Sequence, residues 1–194
     1  LTQGLPQHAQ ALLPWYRYTL RCVEVLLPLA RAATGPGHER REECLRGLSP
    51  LARRYVDLLL SGDRRGAASA ILGQLQAGLT VRPVYLEVFQ PALRAVGQLW
   101  QRGLISVAVE HYITAATQMV MSQIFPLILG APRNGVTFVG CCVATELHEV
   151  GMRMVTDLLE LDGYDTWYLG ANTPDEGVVE LMAEKGAQVL GVSA

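Results

Sequence analysis

The hydrophobic period of this chain changes once, at Pro126, and that change limits what it can fold into. Up to Phe125 apolar residues recur at three- and four-residue steps, as in Val109, Ile113, Ala116, Val120 and Ile124, the spacing of one helical face. Breaks at Thr34-Gly-Pro-Gly37, Ser49-Pro50, Ser61-Gly62-Asp63, Arg82-Pro83 and Arg102-Gly103 cut this half into helix-length pieces. They predict helices over 50–60, 64–79, 83–100 and 106–125, and the short connections between them predict a four-helix bundle spanning 49–130. Residues 1–48 read as a helical extension, with one long helix around 15–33 and a shorter one after Gly37.

Beyond Pro126 the stretch 136–144 is short and almost continuously apolar, as in a parallel strand covered on both faces. A helix over 149–161, a strand over 164–169, a helix over 174–185 and a strand over 188–193 follow, with Gly163 and Gly186 ending the two helices. The order β-α-β-α-β opens a doubly wound parallel sheet, so the expected fold is α/β with an all-α cap, its Rossmann-like, flavodoxin-like domain occupying 134–194. Sheets of this kind have about five or six strands, so the three strands here lead one to expect further C-terminal sequence, disorder beyond the last residue or completion by another chain.

Composition narrows the partners. A net charge of -2 with 18% charged residues provides no basic surface for a polyanion and no polybasic membrane tether. No run reaches the roughly 18 apolar residues of a membrane span, and no leader pattern opens the chain; the expected location is cytoplasmic. Cys22, Cys44, Cys141 and Cys142 lack C-x-x-C spacing and read as reduced core thiols. His8 and His38 lie in polar surroundings and read as solvated.

His148 follows the first strand, at the carboxyl edge where doubly wound sheets bind ligands. No G-x-G-x-x-G and no Walker lysine accompany it, so a nucleotide site lacks its glycines and cation. An imidazole with Glu146 two residues away has the chemistry of a metal ligand, one ring nitrogen on the metal and the other on the carboxylate. No second His, Cys or carboxylate stands at ligand spacing, so a closed zinc site does not form. The metal must bring its other ligands, as in a haem or corrin macrocycle. Gly151, about one turn later, leaves room for a bulky ligand to approach the backbone. The plainer reading of such a histidine is a surface or helix-capping residue.

Glu146-Leu-His148-Glu-Val-Gly151 resembles the D-x-H-x-x-G motif of cobalamin-binding domains, with Glu in place of Asp. The resemblance implies a base-off cobalamin with His148 as the lower cobalt ligand and the displaced dimethylbenzimidazole tail entering the sheet edge beside Gly151. Ser193 falls where the family has its tail-contacting serine after the third strand. A four-helix cap directly before such a sheet is also a family trait, which extends the resemblance over residues 50–194.

In the bundle, Trp100 ends one helix, and Glu110 and His111 open the next across a turn at Gly103, so a ring, a carboxylate and an imidazole can converge over a flat ligand. Taken singly, Trp100 reads as core and Glu110 as a helix-dipole partner. Trp-x9-Glu-His, with Val107 three residues before Glu110, resembles the upper-face pocket of CarH-type light-sensing cobalamin regulators. It implies that Trp100, Val107, Glu110 and His111 surround the upper alkyl group, adenosylcobalamin being favoured over methylcobalamin. Gln101 stands where that family often has a cobalt-capturing histidine, and an amide is a poor ligand for cobalt; water or His111 is then expected above the metal after light. Thr114 and Thr117 are candidates for the cavity wall.

Residues 1–48 show neither a winged hairpin nor a basic recognition helix, so direct nucleic-acid binding is not expected. The leading expectation is a non-enzymatic cobalamin-binding photoreceptor in signalling or transcription regulation, acting on a homo-oligomer or partner domain. The alternative is a methyl-carrying corrinoid protein of a methyltransferase system, which shares the His148 motif and the cap. A cobalamin-free scaffold on the same fold is a third.

Overall fold

A computed structural model describes residues 38–143 and 145–193. The helix expected at 15–33, His8 and Cys22 lie outside the described residues. The helical half comprises α1 (His38–Leu45), α2 (Pro50–Leu60), α3 (Arg64–Gln76), α4 (Gln90–Gln101) and α5 (Val107–Ile124). The sheet half comprises β1 (Thr137–Cys142), α6 (Val150–Leu161), β2 (Asp165–Tyr168), α7 (Asp175–Lys185) and β3 (Val189–Ser193).

Side-chain caps set the helix starts. Ser49 Oγ accepts the Ala52 N–H at 3.2 Å, with Pro50 at the first position of α2. Asp63 Oδ1 accepts from Gly66 N at 2.8 Å, and Ser106 Oγ from Val109 N at 3.3 Å. Each satisfies an amide that the first turn leaves without a helical partner. Gly186 closes α7 in the left-handed region at φ 59.

The structure corrects the helix expected over 83–100. A helical turn, Val81–Pro83, leads into a π-helical segment, Val84–Phe89, and the α-helix begins only at Gln90. Pro91 is the cause: it has no N–H to give the Glu87 carbonyl, and its ring would press on that carbonyl in a regular helix. The Glu87 carbonyl instead accepts the Ser49 hydroxyl at 3.3 Å.

The sheet is parallel, in the order β2-β1-β3, with Phe138 opposite Thr166 on one side and Val189 on the other. Strand β1 is central and buried from Phe138 to Cys142, as its continuous apolar run requires. Gly140 lets α6 pack close, because a Cβ there would stand 2.7 Å from Thr156 Oγ1. Cys44, Cys141 and Cys142 are buried free thiols. No helix among the described residues is long and apolar enough to cross a membrane.

The bundle core does not stop at the bundle. Tyr55, Phe89, Leu99, Ile113 and Met121 form one cluster that includes Cys44 and Leu45 of α1 and reaches across to Met154 of α6, with Val150, Leu158 and Leu161 packed against it. Asp157 is buried in this face, and the Tyr85 hydroxyl donates to its Oδ2 at 2.7 Å. Burial holds the Asp157 carboxyl above the ordinary carboxylate range, while the Tyr85 bond pulls it back down. Thr117 is fully buried in the core, accepting the Tyr55 hydroxyl at 3.1 Å and donating to the Ile113 carbonyl at 2.9 Å, so it is a core residue and not part of a cavity wall.

Replacing Tyr85 with Phe leaves a buried carboxylate without its donor and is expected to cost about 1–3 kcal/mol at neutral pH, read by urea unfolding. A buried acid with a raised folded-state pKa is most favourable when protonated, and that contribution is lost as pH rises through the folded value. Without the tyrosine the Asp157 value climbs further, so the deficit of Y85F is expected to narrow as pH falls into the acid range. A deficit that stays constant with pH would remove Asp157 from the explanation.

Candidate functional site

A cavity of about 640 Å³ opens where α4 and α5 of the bundle face the segment between β1 and α6. Glu110, His111, Thr114 and Gln118 line it from α5, and Leu147, His148, Glu149 and Gly151 from the sheet half. The cavity therefore joins residues that the sequence separates by about forty positions.

On the lower side, the His148 ring projects into solvent with 93% of its side chain exposed. Its backbone N–H and its ring Nδ1 both lie 2.6 Å from Glu146 Oε1. An ionised carboxylate only accepts, so Nδ1 carries a ring proton and donates it to Glu146, which leaves Nε2 as the ring nitrogen not engaged by that carboxylate. Glu146 is held below its usual carboxylate range, chiefly by the His148 backbone N–H and then by the imidazole. The extra methylene of Glu relative to Asp thus still permits the contact, by curling the side chain back over its own loop. The Glu146 carbonyl accepts the Asn172 N–H at 3.2 Å, which ties the loop after β1 to the loop after β2. Gly151 lies in the first turn of α6, and a Cβ there would meet nothing within 4 Å: the glycine leaves open space, not a packed contact.

On the upper side, Glu110 Oε1 accepts the Thr114 hydroxyl at 2.8 Å and its Oε2 lies 2.5 Å from His111 Nδ1. Glu110 therefore holds both its immediate neighbour and the hydroxyl one turn later. The carboxylate is largely covered and the imidazole is mostly exposed.

Trp100 and Val107 are not among the residues that line this cavity. They are 45% and 48% exposed, on either side of the Gly103 turn, so Trp100 is not a core residue either. Ser193 ends β3 beside Cys142, where its carbonyl accepts the Val143 N–H at 3.0 Å. Sequence reasoning passes over Glu149, whose carboxylate accepts from Gln118 of α5, from the Tyr168 hydroxyl and from the Ala171 N–H. The only sequence signal is a second carboxylate beside the histidine. Among the described residues no three His, Cys, Asp or Glu side chains cluster as a metal site.

Two family models, each described as a B12 binding domain, match residues 51–124 and 136–194, and so cover the bundle and the sheet in turn. The HTH-type transcriptional repressor CarH of Myxococcus xanthus is 30% identical over 129 residues, covering 64% of this chain and 41% of the repressor. Monomethylamine corrinoid protein 1 of Methanosarcina acetivorans is 24% identical over 134 residues, covering 66% of this chain and 62% of that protein. The chain thus spans less than two thirds of the length of either relative. The solved monomethylamine corrinoid protein of Methanosarcina barkeri shares the fold, with a TM-score of 0.63 at 22% identity over 74% of this chain and 69% of that one. A helical cap and a parallel sheet, each matched in sequence and meeting at one cavity, make this chain a member of the B12 binding domain family that binds cobalamin and resembles the CarH-type regulators.

Proposed function

We propose that the chain is a sensory module that holds an alkylcobalamin between its bundle and its sheet, and that loss of the upper alkyl group in light changes its conformation or assembly. One observation supports the reading: His148, bonded through Nδ1 to Glu146, and Glu110, bonded to both His111 and Thr114, face a single cavity from the bundle and from the sheet half.

The residues fit a corrinoid. His148 would hold the cobalt through its ring, and Glu146, bonded to Nδ1, would fix its tautomer and raise its basicity as a ligand. Gly151 leaves the backbone open to a bulky ring, and Ser193 at the carboxyl edge is assigned to the nucleotide tail. Glu110 and His111 stand on the upper side. Trp100 and Val107 flank the turn into α5 and remain candidates for contact with a large upper group such as 5′-deoxyadenosyl. When bound, the cofactor supplies a weak cobalt–carbon bond that visible light can cleave. The protein supplies placement and an interface able to shift. Gln101 offers an amide, a poor ligand for cobalt, so once the alkyl group is lost His111 or water would be left to hold the metal on that side. The module is read as non-catalytic, soluble and acting through a second copy or a partner domain.

A second reading, a methyl-carrying corrinoid protein, draws on the resemblance to the monomethylamine corrinoid proteins. The two differ in what light does. Reconstitution in the dark with adenosyl- and with methylcobalamin, followed by green light, is expected to change both the visible spectrum and the elution volume of the adenosyl form. Spectral change with no change in assembly or shape moves the weight to methyl transfer.

Two substitutions test the site. H148A is expected to lose the imidazole-ligated spectrum and to release pigment on gel filtration; unchanged spectrum and retention would remove the lower-ligand assignment. G151L fills space that is open without cofactor, so the apo protein should melt within about 1 kcal/mol of wild type, since the site is exposed and Gly is the poorer helix former. Its cobalamin affinity should fall by an order of magnitude or more, and an unaltered affinity would count against a close approach at this position.

A further inference from the structure

Four residues of α5, Glu110, Thr114, Gln118 and Ser122, recur at four-residue spacing and form one polar row. Its first members line the cavity beside His111. Its last two reach out of the bundle: Gln118 Nε2 donates to Glu149 Oε1 at 3.3 Å, and Ser122 Oγ accepts from Arg153 Nη2 at 2.8 Å. The row therefore begins at the upper face and ends on the residues that open α6.

Glu149 follows His148 directly. Its Oε2 accepts the Tyr168 hydroxyl at 3.2 Å and the Ala171 N–H at 3.1 Å, while its Oε1 is left to Gln118. The same tyrosine hydroxyl lies 3.2 Å from the Glu149 carbonyl. The loop after β2 passes so close that a Cβ on Gly170, at φ +78, would stand 3.3 Å from Oε2. An ordinary capping role does not explain this side chain: Glu149 is the N-cap of α6 yet makes no side-chain bond to its own helix, unlike Ser49, Asp63 and Ser106. Leu147 and His148 are exposed and have little packing of their own, so the loop depends on the two carboxylates that flank it.

We infer that Glu149 is a positioning residue that couples the seating of α5 on the sheet to the placement of His148. Its backbone directly follows the residue that bears the imidazole, while its carboxylate is shared between the bundle, through Gln118, and the end of β2 with its following loop, through Tyr168 and Ala171. A shift of α5 withdraws Gln118 and leaves one carboxylate oxygen without its donor. A shift of the loop strains the bonds to Tyr168 and Ala171. Movement of α5 thus reaches the segment that bears His148 through Glu149. This inference builds on the cobalamin reading for its meaning, but the coupling belongs to the chain itself.

The test is a donor–acceptor exchange in the apo protein. Q118E sets two carboxylates against each other, and amide hydrogen exchange over residues 145–151 is expected to rise about tenfold, the scale of losing a charge-assisted bond in a local opening reaction. Q118E combined with E149Q lets the new amide donate to the new carboxylate while its carbonyl still accepts from Tyr168 and Ala171, so exchange should return to the wild-type rate. Far-UV circular dichroism and melting report folding in each case. If Q118E fails to fold, Q118L should raise exchange less steeply, and E149Q should not reverse it. Equal exchange in wild type and variants, or a double variant no better than Q118E, overturns the inference. With adenosylcobalamin loaded in the dark, the half-life of the imidazole-ligated absorption should fall in Q118E and recover in the double variant. Failure of the wild type to take up cobalamin would defeat the proposed function, while the exchange experiment would still decide the coupling.

Discussion

Helix α6 lies between the two halves of the molecule, and its burial from both sides is the constraint on which the rest depends. Val150, Met154, Leu158 and Leu161 turn toward the bundle core at helical spacing, and Thr156 sits against Gly140 of the central strand. A helix so enclosed leaves little room for polar groups, yet Asp157 and Glu160 are both buried within it. Each is answered by a partner from another element. Tyr85 donates to Asp157, and Glu160 pairs with Arg133 at 2.5 Å and accepts from the Thr166 hydroxyl at 2.6 Å. An unanswered buried carboxylate costs more than a typical hydrogen bond contributes, so these pairs favour one seating of α6 over others.

The site inherits its geometry from that seating. The loop bearing His148 is the segment leading into α6, and its first anchor, Glu149, already touches the bundle through Gln118. Arg153 follows with Ser122, Asp157 with Tyr85, and Asp162 with Arg82, so polar contacts recur along α6 and just beyond it. The exposed pairs among them, Arg153 with Ser122 and Asp162 with Arg82, add little stability, but with the buried Asp157–Tyr85 bond they set register, and register fixes where the histidine stands relative to α5. The cavity is therefore a consequence of how α6 is held as much as of the residues that line it.

Much of this was legible in the residues because local rules act there without competition. The change of period at Pro126 separates the two halves, Ser49, Asp63 and Ser106 mark helix starts, and the continuous apolar run of β1 announces a strand covered twice. The π-helical segment was not legible, because Pro91 is equally at home in the first turn of a new helix, and only the neighbouring Ser49 shows how the Glu87 carbonyl is satisfied. Thr117 shares a broad helical face with Thr114, yet it turns to Tyr55 in the core; residues three apart stand about 60° apart around the helix, enough to move a side chain from cavity wall to interior. Trp100 follows buried Val96 by four residues, the spacing of one helical side, yet it stands in the last turn of α4 and is 45% exposed, so spacing alone does not tell a core ring from an uncovered one.

The exchange of Asp for Glu in the His148 motif gains a physical meaning from the structure. One oxygen, Glu146 Oε1, accepts both the backbone N–H and the ring N–H of His148, so a single carboxylate orders the chain and the imidazole together. An aromatic ring standing free in solvent would otherwise sample several rotamers and both tautomers, and a ligand would have to bear the cost of selecting one. Held from one side by Glu146 and anchored next door by Glu149, the ring is ordered before anything binds, even though almost none of its surface is packed. In the proposed reading this reconciles two requirements that usually conflict: an imidazole accessible enough to meet a large, flat, preassembled complex, and oriented well enough for its nitrogen to meet the metal.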